Sequence, residues 1–301
     1  MQRKNFIQSI LILLSLITAG TLVGSILGLV LINPILGLDA IGNSDILNIY
    51  SNNPSTPLAL KFFQFFQVFF SFIIPAHLFA RYQSNNQSAE YLQLKRTEPI
   101  HYIVGSLIIF SVSPLISFLN ELNQNINLPE SFANIENILK GLEEKSSIAT
   151  EIFLKANTLS DIFLNFFIVA ILAAVSEELI FRGVLQKLMS TIIRNIHLNI
   201  FICAFIFSAF HLQFYGFIPR LILGMLLGYS FHFSKSLWVP ILIHFINNGA
   251  AVAFDLLYKK NIIHINPNDN EYFGVTGLLI SLISTIALFW YWTNIYKKSN
   301  Y

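Results

Sequence analysis

Long apolar runs, separated by short polar stretches, dominate the sequence. A helix needs about 20 predominantly apolar residues to cross the hydrocarbon layer of a bilayer, and eight runs meet or approach that length. We therefore predict an all-α, polytopic membrane protein with about eight transmembrane helices. The predicted spans cover roughly residues 6–32, 57–80, 102–119, 161–185, 198–215, 217–233, 237–257 and 273–296.

The overall composition agrees with this class. Of the 301 residues, 54% are hydrophobic and 11% are charged, whereas charged residues make up about a quarter of a typical soluble domain. The net charge of +2 is small and the basic residues are scattered between apolar runs, which excludes a nucleic-acid-binding surface. A single cysteine, Cys203, excludes an internal disulfide and a zinc site built from cysteines.

Lysine and arginine residues predict how the spans are oriented, because short cytoplasmic loops retain positive charge. With eight predicted spans, both chain ends lie on one side of the membrane, and most basic residues fall on that side. We therefore predict cytoplasmic termini for a multi-pass protein of a bacterial plasma membrane. The basic residues on that side are Arg3, Lys4, Arg81, Lys95, Arg96, Lys187, Arg194, Lys235, Lys297 and Lys298.

A long, net acidic connection, residues 120–160, joins the third and fourth predicted spans. Its apolar residues recur at Ile135, Ile138 and Leu142, which predicts either an amphipathic helix on the outer surface of the membrane or a solvated connector helix. Because no repeat of fixed period is present, we expect one membrane domain. Its parts are the first three helices with this connection (1–159), a core that contains the motifs below (160–256), and the last loop, helix and cytoplasmic tail (257–301).

Three charged residues interrupt the fourth predicted span. Residues 174–183 read AVSEELIFRG, which places Glu177, Glu178 and Arg182 among apolar neighbours. A charge at the centre of a bilayer costs about 2.5 to 3.5 kcal/mol on insertion scales, so these charges indicate a function. Glu178 and Arg182 have the order favoured for an i,i+4 ion pair. Glu177, about 100° further round the helix, is then free to act on another group.

Two further predicted spans each present a pair of residues four positions apart. The pairs are Phe207 with His211 and His244 with Asn248, and residues at i and i+4 lie on one helical face. Together with Glu177 they predict a shared polar cavity, although each polar residue alone would also suit a hydrogen bond between helices. In such a cavity Glu177 can act as general base for a water that His211 shares. His244 and Asn248 can donate to the oxyanion of a tetrahedral intermediate.

Other catalytic arrangements fit this sequence less well. Ser176 only precedes the paired acids, and Ser208, three residues from His211, is expected to bond a backbone carbonyl. The sequence also lacks the helical zinc motif H-E-x-x-H. Neither a serine nucleophile nor a zincin site is therefore favoured.

The three motifs together resemble those of a known family. In sequence order they are Glu177-Glu178-x-x-x-Arg182, Phe207-x-x-x-His211 and His244-x-x-x-Asn248, each on a separate predicted span. They are similar to the signature motifs of the CPBP intramembrane proteases, which include the type II CAAX prenyl endopeptidases and the bacteriocin-processing and immunity proteins of the Abi family. The resemblance covers about residues 160–256.

This resemblance implies an intramembrane endopeptidase that hydrolyses a peptide bond in or next to the membrane. The matching positions carry the implied roles: water activation by Glu177 with His211, organisation of the site by Glu178 and Arg182, support from Phe207, and an oxyanion hole formed by His244 and Asn248.

The resemblance leaves the question of a metal open, because the family has been described both as metalloproteases and as glutamate-dependent enzymes. In the metal version, Glu177, His211 and His244 would be the zinc ligands, since three protein ligands plus water make an open catalytic site. We favour the metal-free version, because His244 with Asn248 is readily explained as a donor pair. We therefore expect no cofactor, with zinc as the alternative.

The expected partners are a peptide or membrane-protein substrate and the lipid bilayer, and no nucleic acid. Intramembrane Glu, Arg and His also mark ion pathways, so a transporter or ion-coupled carrier is the main competing function. Against it, the inverted repeat common in such carriers is not evident in this sequence. A catalytically silent protein that binds and shields a partner, as an immunity protein would, is a third interpretation.

Overall fold

The computed structural model describes residues 5–36, 55–264 and 274–299, which form helices and the turns between them. Arg3 and Lys4, used above for orientation, lie outside these residues. We number the helices in chain order as α1 (Phe6–Leu36), α2 (Thr56–Ser84), α3 (Ser88–Tyr91), α4 (Pro99–Gln124), α5 (Ala133–Leu154), α6 (Leu159–Met189), α7 (Ile196–Phe210), α8 (Phe217–Ser234), α9 (Trp238–Lys259) and α10 (Gly274–Ser299).

Among the described residues, 7 helices are long and apolar enough to cross a membrane, which confirms the all-α, polytopic class. The predicted fifth span differs from expectation. Its helix, α7, has 15 residues, or about 22 Å at about 1.5 Å per residue, which is shorter than the hydrocarbon layer of about 30 Å. The apolar pattern continues past its last helical residue, Phe210, but the chain turns there and returns as α8.

Helix α6 carries the predicted charged motif and is in contact with α2, α7, α8 and α9. Two stretches of it, Phe166–Leu172 and Leu179–Gln186, are π-helical. Every residue of the second stretch is buried. Because π-helical turns displace backbone carbonyls from the regular α-helical ladder and recur at functional sites, α6 offers both buried side chains and carbonyl acceptors to its neighbours.

Helices α1 and α2 pack closely along a stripe of small residues, which we call the glycine seam (Gly20, Gly24 and Gly28 against α2). A Cβ atom at Gly24 would lie 2.7 Å from the carbonyl oxygen of Phe66, and one at Gly20 would collide with the carbonyl of Phe70. Thr21 adds a hydrogen bond of 3.0 Å from its hydroxyl to that of Ser71. Small residues of this kind let membrane helices approach one another closely.

Helices α4 and α10 support the face of α9 next to the predicted site. Trp292 of α10 is fully buried, and its Nε1 donates to Nδ1 of His101 on α4 at 2.7 Å. A Cβ atom at Gly105 of α4 would lie 2.6 Å from Cδ1 of Ile243, so the glycine gives the side chain of Ile243 room to pack against α4. His244 directly follows Ile243, so this packing also fixes the stretch of α9 that carries His244.

The amphipathic helix predicted in the long connection is present as α5. Its apolar residues Ile135, Ile138 and Leu142 are exposed, as expected for a helix that lies against lipid or at its surface. The neighbouring face of α5 contacts the rest of the protein: the hydroxyl of Ser146 accepts a hydrogen bond of 2.5 Å from Nε2 of Gln213. Helix α5 therefore touches the turn that joins α7 to α8.

Candidate active site

Helix α6 places a buried ion pair at the centre of the site. Glu178 is 0% and Arg182 2% exposed, and Nη1 of Arg182 donates to Oε1 of Glu178 at 2.7 Å. Nη2 of the same guanidinium donates to the carbonyl oxygen of Gly224 on α8 at 3.0 Å. The i,i+4 ion pair predicted from the sequence is therefore present, and it also ties α6 to α8.

His244 of α9 forms a third bond to this pair. Its Nδ1 lies 2.8 Å from Oε1 of Glu178. Because an ionised carboxylate only accepts hydrogen bonds, this contact places a proton on Nδ1 and leaves Nε2 pointing elsewhere. Nε2 lies 3.8 Å from Oε2 of Glu177, so Glu178 orients the imidazole and presents its second nitrogen to Glu177.

The two adjacent carboxylates thus have different environments. Glu178 is completely buried and shared between Arg182 and His244. The side chain of Glu177 is 18% exposed, and its nearest basic atom at ion-pair distance is Nε2 of His244 at 3.8 Å. Glu177 is therefore the more accessible of the two carboxylates.

Phe207 of α7 packs between the charged groups and is 1% exposed. The guanidinium carbon of Arg182 lies 4.8 Å from the centre of its ring, a cation–π geometry. The ring of His244 stands edge-on to it, with centroids 6.1 Å apart and an interplanar angle of 83°. Phe207 therefore packs its apolar ring against both Arg182 and His244.

His211 lies just beyond the end of α7, where it forms the C-cap of the helix. Its Nδ1 is 2.9 Å from the carbonyl oxygen of Phe207, which can only accept, so Nδ1 carries the proton and Nε2 is free to bind a water proton. Leu212 follows with a φ of 54°, in the left-handed region that a non-glycine residue rarely adopts. Glu177 and His244 are among the titratable groups whose charge acts on His211.

Asn248 of α9 faces the first π-helical stretch of α6. Its Nδ2 donates to the carbonyl oxygen of Val169 at 3.1 Å, and its Oδ1 accepts from Nδ2 of Asn247 at 3.1 Å. These bonds fix the orientation of the amide and leave the second hydrogen of Nδ2 for another acceptor. The sequence predicted Asn248 in the site but gave Asn247 no role.

The arrangement does not bring together the ligands considered for zinc. In the part of the chain that the structure describes, no three His, Cys, Asp or Glu side chains form a group that could hold a metal ion. Glu177, His211 and His244 face a common region, with Nε2 of each histidine unused by protein hydrogen bonds within it. Their geometry suits proton transfer and hydrogen bonding to water.

The two serines near the motifs are bonded to backbone carbonyls. The hydroxyl of Ser208 donates to the carbonyl oxygen of Phe217 at 2.7 Å, and that of Ser176 donates to Ala173 at 3.1 Å. Both serines are 0% exposed. Neither is positioned as a nucleophile, in agreement with the sequence analysis.

Further polar residues join the site without having been predicted. Nε2 of Gln186 donates to the carbonyl oxygen of Gly228 at 3.2 Å. The backbone carbonyl oxygen of Gln186 accepts from Nδ2 of Asn199 at 3.1 Å. Gln186 follows Arg182 by four positions, so extending the i,i+4 rule along α6 would have found it. Arg220, in the first turn of α8, donates to Oε1 of Gln213 at 2.6 Å. The sequence analysis gave Arg220 no role.

Comparison with known proteins gives a match over the part of the chain that forms the site. Residues 159–250 match the family model described as Type II CAAX prenyl endopeptidase Rce1-like. No curated protein and no solved structure matches the chain. The matched segment runs from the start of α6 into α9 and contains all three motifs. Residues 159–250 are therefore similar to the Rce1-like type II CAAX prenyl endopeptidases, the resemblance that the three motifs indicated.

Proposed function

We propose that this protein is an intramembrane endopeptidase that hydrolyses a peptide bond in or near the membrane with a water activated by Glu177. The observation that carries the proposal is the difference between the two adjacent carboxylates. Arg182 and His244 both bond to Glu178, whereas Glu177 is partly exposed and faces Nε2 of His244. One acid organises the site, and the other is free for chemistry.

Water activation requires a base and a second group that aligns the water. Glu177 accepts the proton, and Nε2 of His211, which the bond from Nδ1 to Phe207 leaves unprotonated, aligns the water through a hydrogen bond. Attack of the water oxygen on the peptide carbonyl then gives a tetrahedral oxyanion. General-base catalysis of this kind contributes about 10² to 10⁴ in rate.

Oxyanion stabilisation is assigned to His244 and Asn248. Asn248 retains one amide hydrogen after its bond to Val169. His244 donates from Nε2 when its ring carries a second proton, and the Glu178 carboxylate at Nδ1 stabilises that imidazolium. The proton taken by Glu177 passes to the amine of the leaving peptide when the tetrahedral intermediate collapses.

The substrate we expect is a peptide or a membrane-protein segment that reaches the site from the bilayer. From the lysine and arginine distribution of the sequence, we propose a plasma-membrane location with both termini cytoplasmic. Zinc is not required by this mechanism, and no step depends on it.

Membrane peptidomes of cells that express the wild type or Glu177→Gln test the proposal. The amide preserves the volume of the side chain but cannot accept the proton of water, so we expect specific cleavage products only with the wild type. Equal products from both proteins would remove Glu177 from the mechanism. A change in the uptake of a small solute or ion without any change in peptides would favour a carrier.

A further inference from the structure

Arg220 places a positive charge beside the site from a helix that has no part in the three motifs. It lies in the first turn of α8, and its neighbours in the first half of this helix are apolar. Nη2 donates to Oε1 of Gln213 at 2.6 Å, while Nη1 is buried and bonds to no other described protein atom. A charge in an apolar part of a membrane helix costs free energy, so such a residue is usually paired or functional.

Two acidic residues, one on α5 and one on α6, act electrostatically on Arg220. Glu143 on α5 and Glu177 on α6 attract the guanidinium, and His211 also lies within its electrostatic reach. Within the described residues, neither acid comes into ion-pair contact with the guanidinium. The short bond of Arg220 is therefore made to the neutral amide of Gln213, in the turn that carries His211.

Gly216 provides the space for this contact. The guanidinium of Arg220 packs directly against Gly216, and a Cβ atom there would collide with Nη2. The backbone of Gly216 has a φ of −113°, which any residue can adopt. The glycine is therefore explained by the position of the guanidinium and not by a backbone conformation.

The turn that Arg220 holds is the one that follows His211 directly. It includes Leu212, whose φ of 54° is unfavourable for a leucine. A strained residue of this kind persists only where the surrounding structure fixes it. Gln213 is the next residue, and it links the turn to Arg220 on one side and to Ser146 of α5 on the other.

We infer that Arg220 is a positioning residue for the hydrolytic reaction: through Gln213 it holds the turn after His211, so that Nε2 of His211 stays directed at the water beside Glu177. This inference rests on the proposed endopeptidase function for its catalytic consequence, but the restraint of the turn can be measured without any substrate. Arg220 acts through another side chain and is not itself assigned contact with the reacting atoms.

Gly216→Ala is the most selective variant for this test. The new methyl group displaces the guanidinium from Gln213, keeps every charge and suits the existing backbone conformation. On the peptide found with the wild type, we expect kcat to fall by about 10- to 100-fold, because small misplacements of a catalytic group have effects of this size. KM should stay within about twofold, since substrate contacts are unchanged. Arg220→Gln should act in the same direction.

Ser146→Ala is the matched control, because it removes the link from Gln213 to α5 and leaves the bond to Arg220 in place. It should keep wild-type kcat. Added guanidinium ion should restore part of the activity of Arg220→Ala, which a purely structural role would not allow. Wild-type kcat and KM in both Gly216→Ala and Arg220→Gln would overturn the inference.

Hydrogen–deuterium exchange of the purified proteins gives the result that does not depend on a substrate. Peptides that cover residues 211–216 should exchange faster in Gly216→Ala and Arg220→Gln, and other regions should not change. Glu177→Gln should exchange like the wild type. Unchanged exchange over 211–216 would overturn the inference, even for an active protease. Faster exchange there, in a protein that cleaves no peptide, would support the restraint and count against the proposed function alone.

Discussion

The core around α6, α8 and α9 and the glycine seam between α1 and α2 join membrane helices in different ways. In the core, the fully buried Glu178 bonds to both Arg182 and His244. In the seam, helices meet through glycines such as Gly24, and the hydrogen bond from Thr21 is between neutral hydroxyls. Small residues and neutral hydrogen bonds are sufficient to associate helices in lipid.

This difference shows why the charges of the core need a functional explanation. A buried ion pair often stabilises a protein no better than apolar residues of similar volume, because both charges have to be desolvated. The seam demonstrates that this protein associates helices without charge. We propose that the core keeps Glu178 and Arg182 because they orient His244 towards Glu177, which apolar residues could not do.

The largest effect on stability is expected from Arg182→Ala in the core. The substitution leaves Glu178 as a buried carboxylate without its cation and also removes the bond to Gly224. We expect the free energy of unfolding to fall by about 3 to 5 kcal/mol, with loss of activity. Thermal unfolding of the purified protein measures this. Arg81→Ala, which removes an exposed bond to Asn86, is the control and should change stability by about 0.5 kcal/mol or less.

A normally stable but inactive Arg182→Ala protein would contradict this account of Arg182. It would mean that the guanidinium acts directly on the substrate and that Glu178 does not depend on it for burial.

Asn248→Ala should reduce catalysis with little effect on stability. The loss of one oxyanion donor costs about 10² to 10³ in kcat, while binding of the ground-state substrate largely survives. Steady-state kinetics with the identified peptide separates the two parameters. Asn247→Ala, which removes only the support to Oδ1 of Asn248, should have a smaller effect. A raised KM with unchanged kcat would make Asn248 a substrate-binding residue.

Gly24→Leu tests the glycine seam separately from the core. A larger side chain at Gly24 meets the backbone of α2 at Phe66, so α1 has to move away. Overpacking of this kind costs about 1 to 3 kcal/mol, and we expect a lower melting temperature. The kcat of the protein that remains folded should be unchanged, because the seam lies outside the site. A loss of kcat equal to that of Asn248→Ala would show that the seam and the core are coupled.

The smallest effect is expected from metal removal. If Glu177 and His211 bind only water, a strong chelator should leave the activity of the purified protein nearly unchanged. If Glu177, His211 and His244 hold zinc, the active protein should contain about one equivalent, and chelation should abolish an activity that zinc restores. Elemental analysis together with the activity assay decides between these outcomes.

The sequence was sufficient for those features of the fold and site that follow from local periodicity. Apolar run length identified the helices, and the i,i+4 spacing identified the pairing of Glu178 with Arg182. The short length of α7 was missed, because apolar residues continue beyond Phe210 while the chain already turns. Hydropathy does not register a turn in which most residues are apolar or aromatic, as in residues 211–216.

Contacts between distant segments could not be predicted in the same way. The bond between Glu178 and His244 depends on how α6 crosses α9, and that of Asn248 depends on a carbonyl within a π-helical stretch. Neither follows from a simple period. Arg220 is different, because it is a charge inside an apolar segment, and the criterion applied to Glu177 would have selected it.

The most direct test of the central claim compares Glu177→Gln with Glu178→Gln in purified protein, with peptide cleavage and thermal unfolding measured on the same samples. We predict that Glu177→Gln keeps the melting temperature of the wild type and loses about 10² to 10⁴ in kcat. Glu178→Gln should lower the melting temperature, because Arg182 and His244 lose the charge that both bond to. A stable, inactive Glu178→Gln beside an active Glu177→Gln would contradict the account.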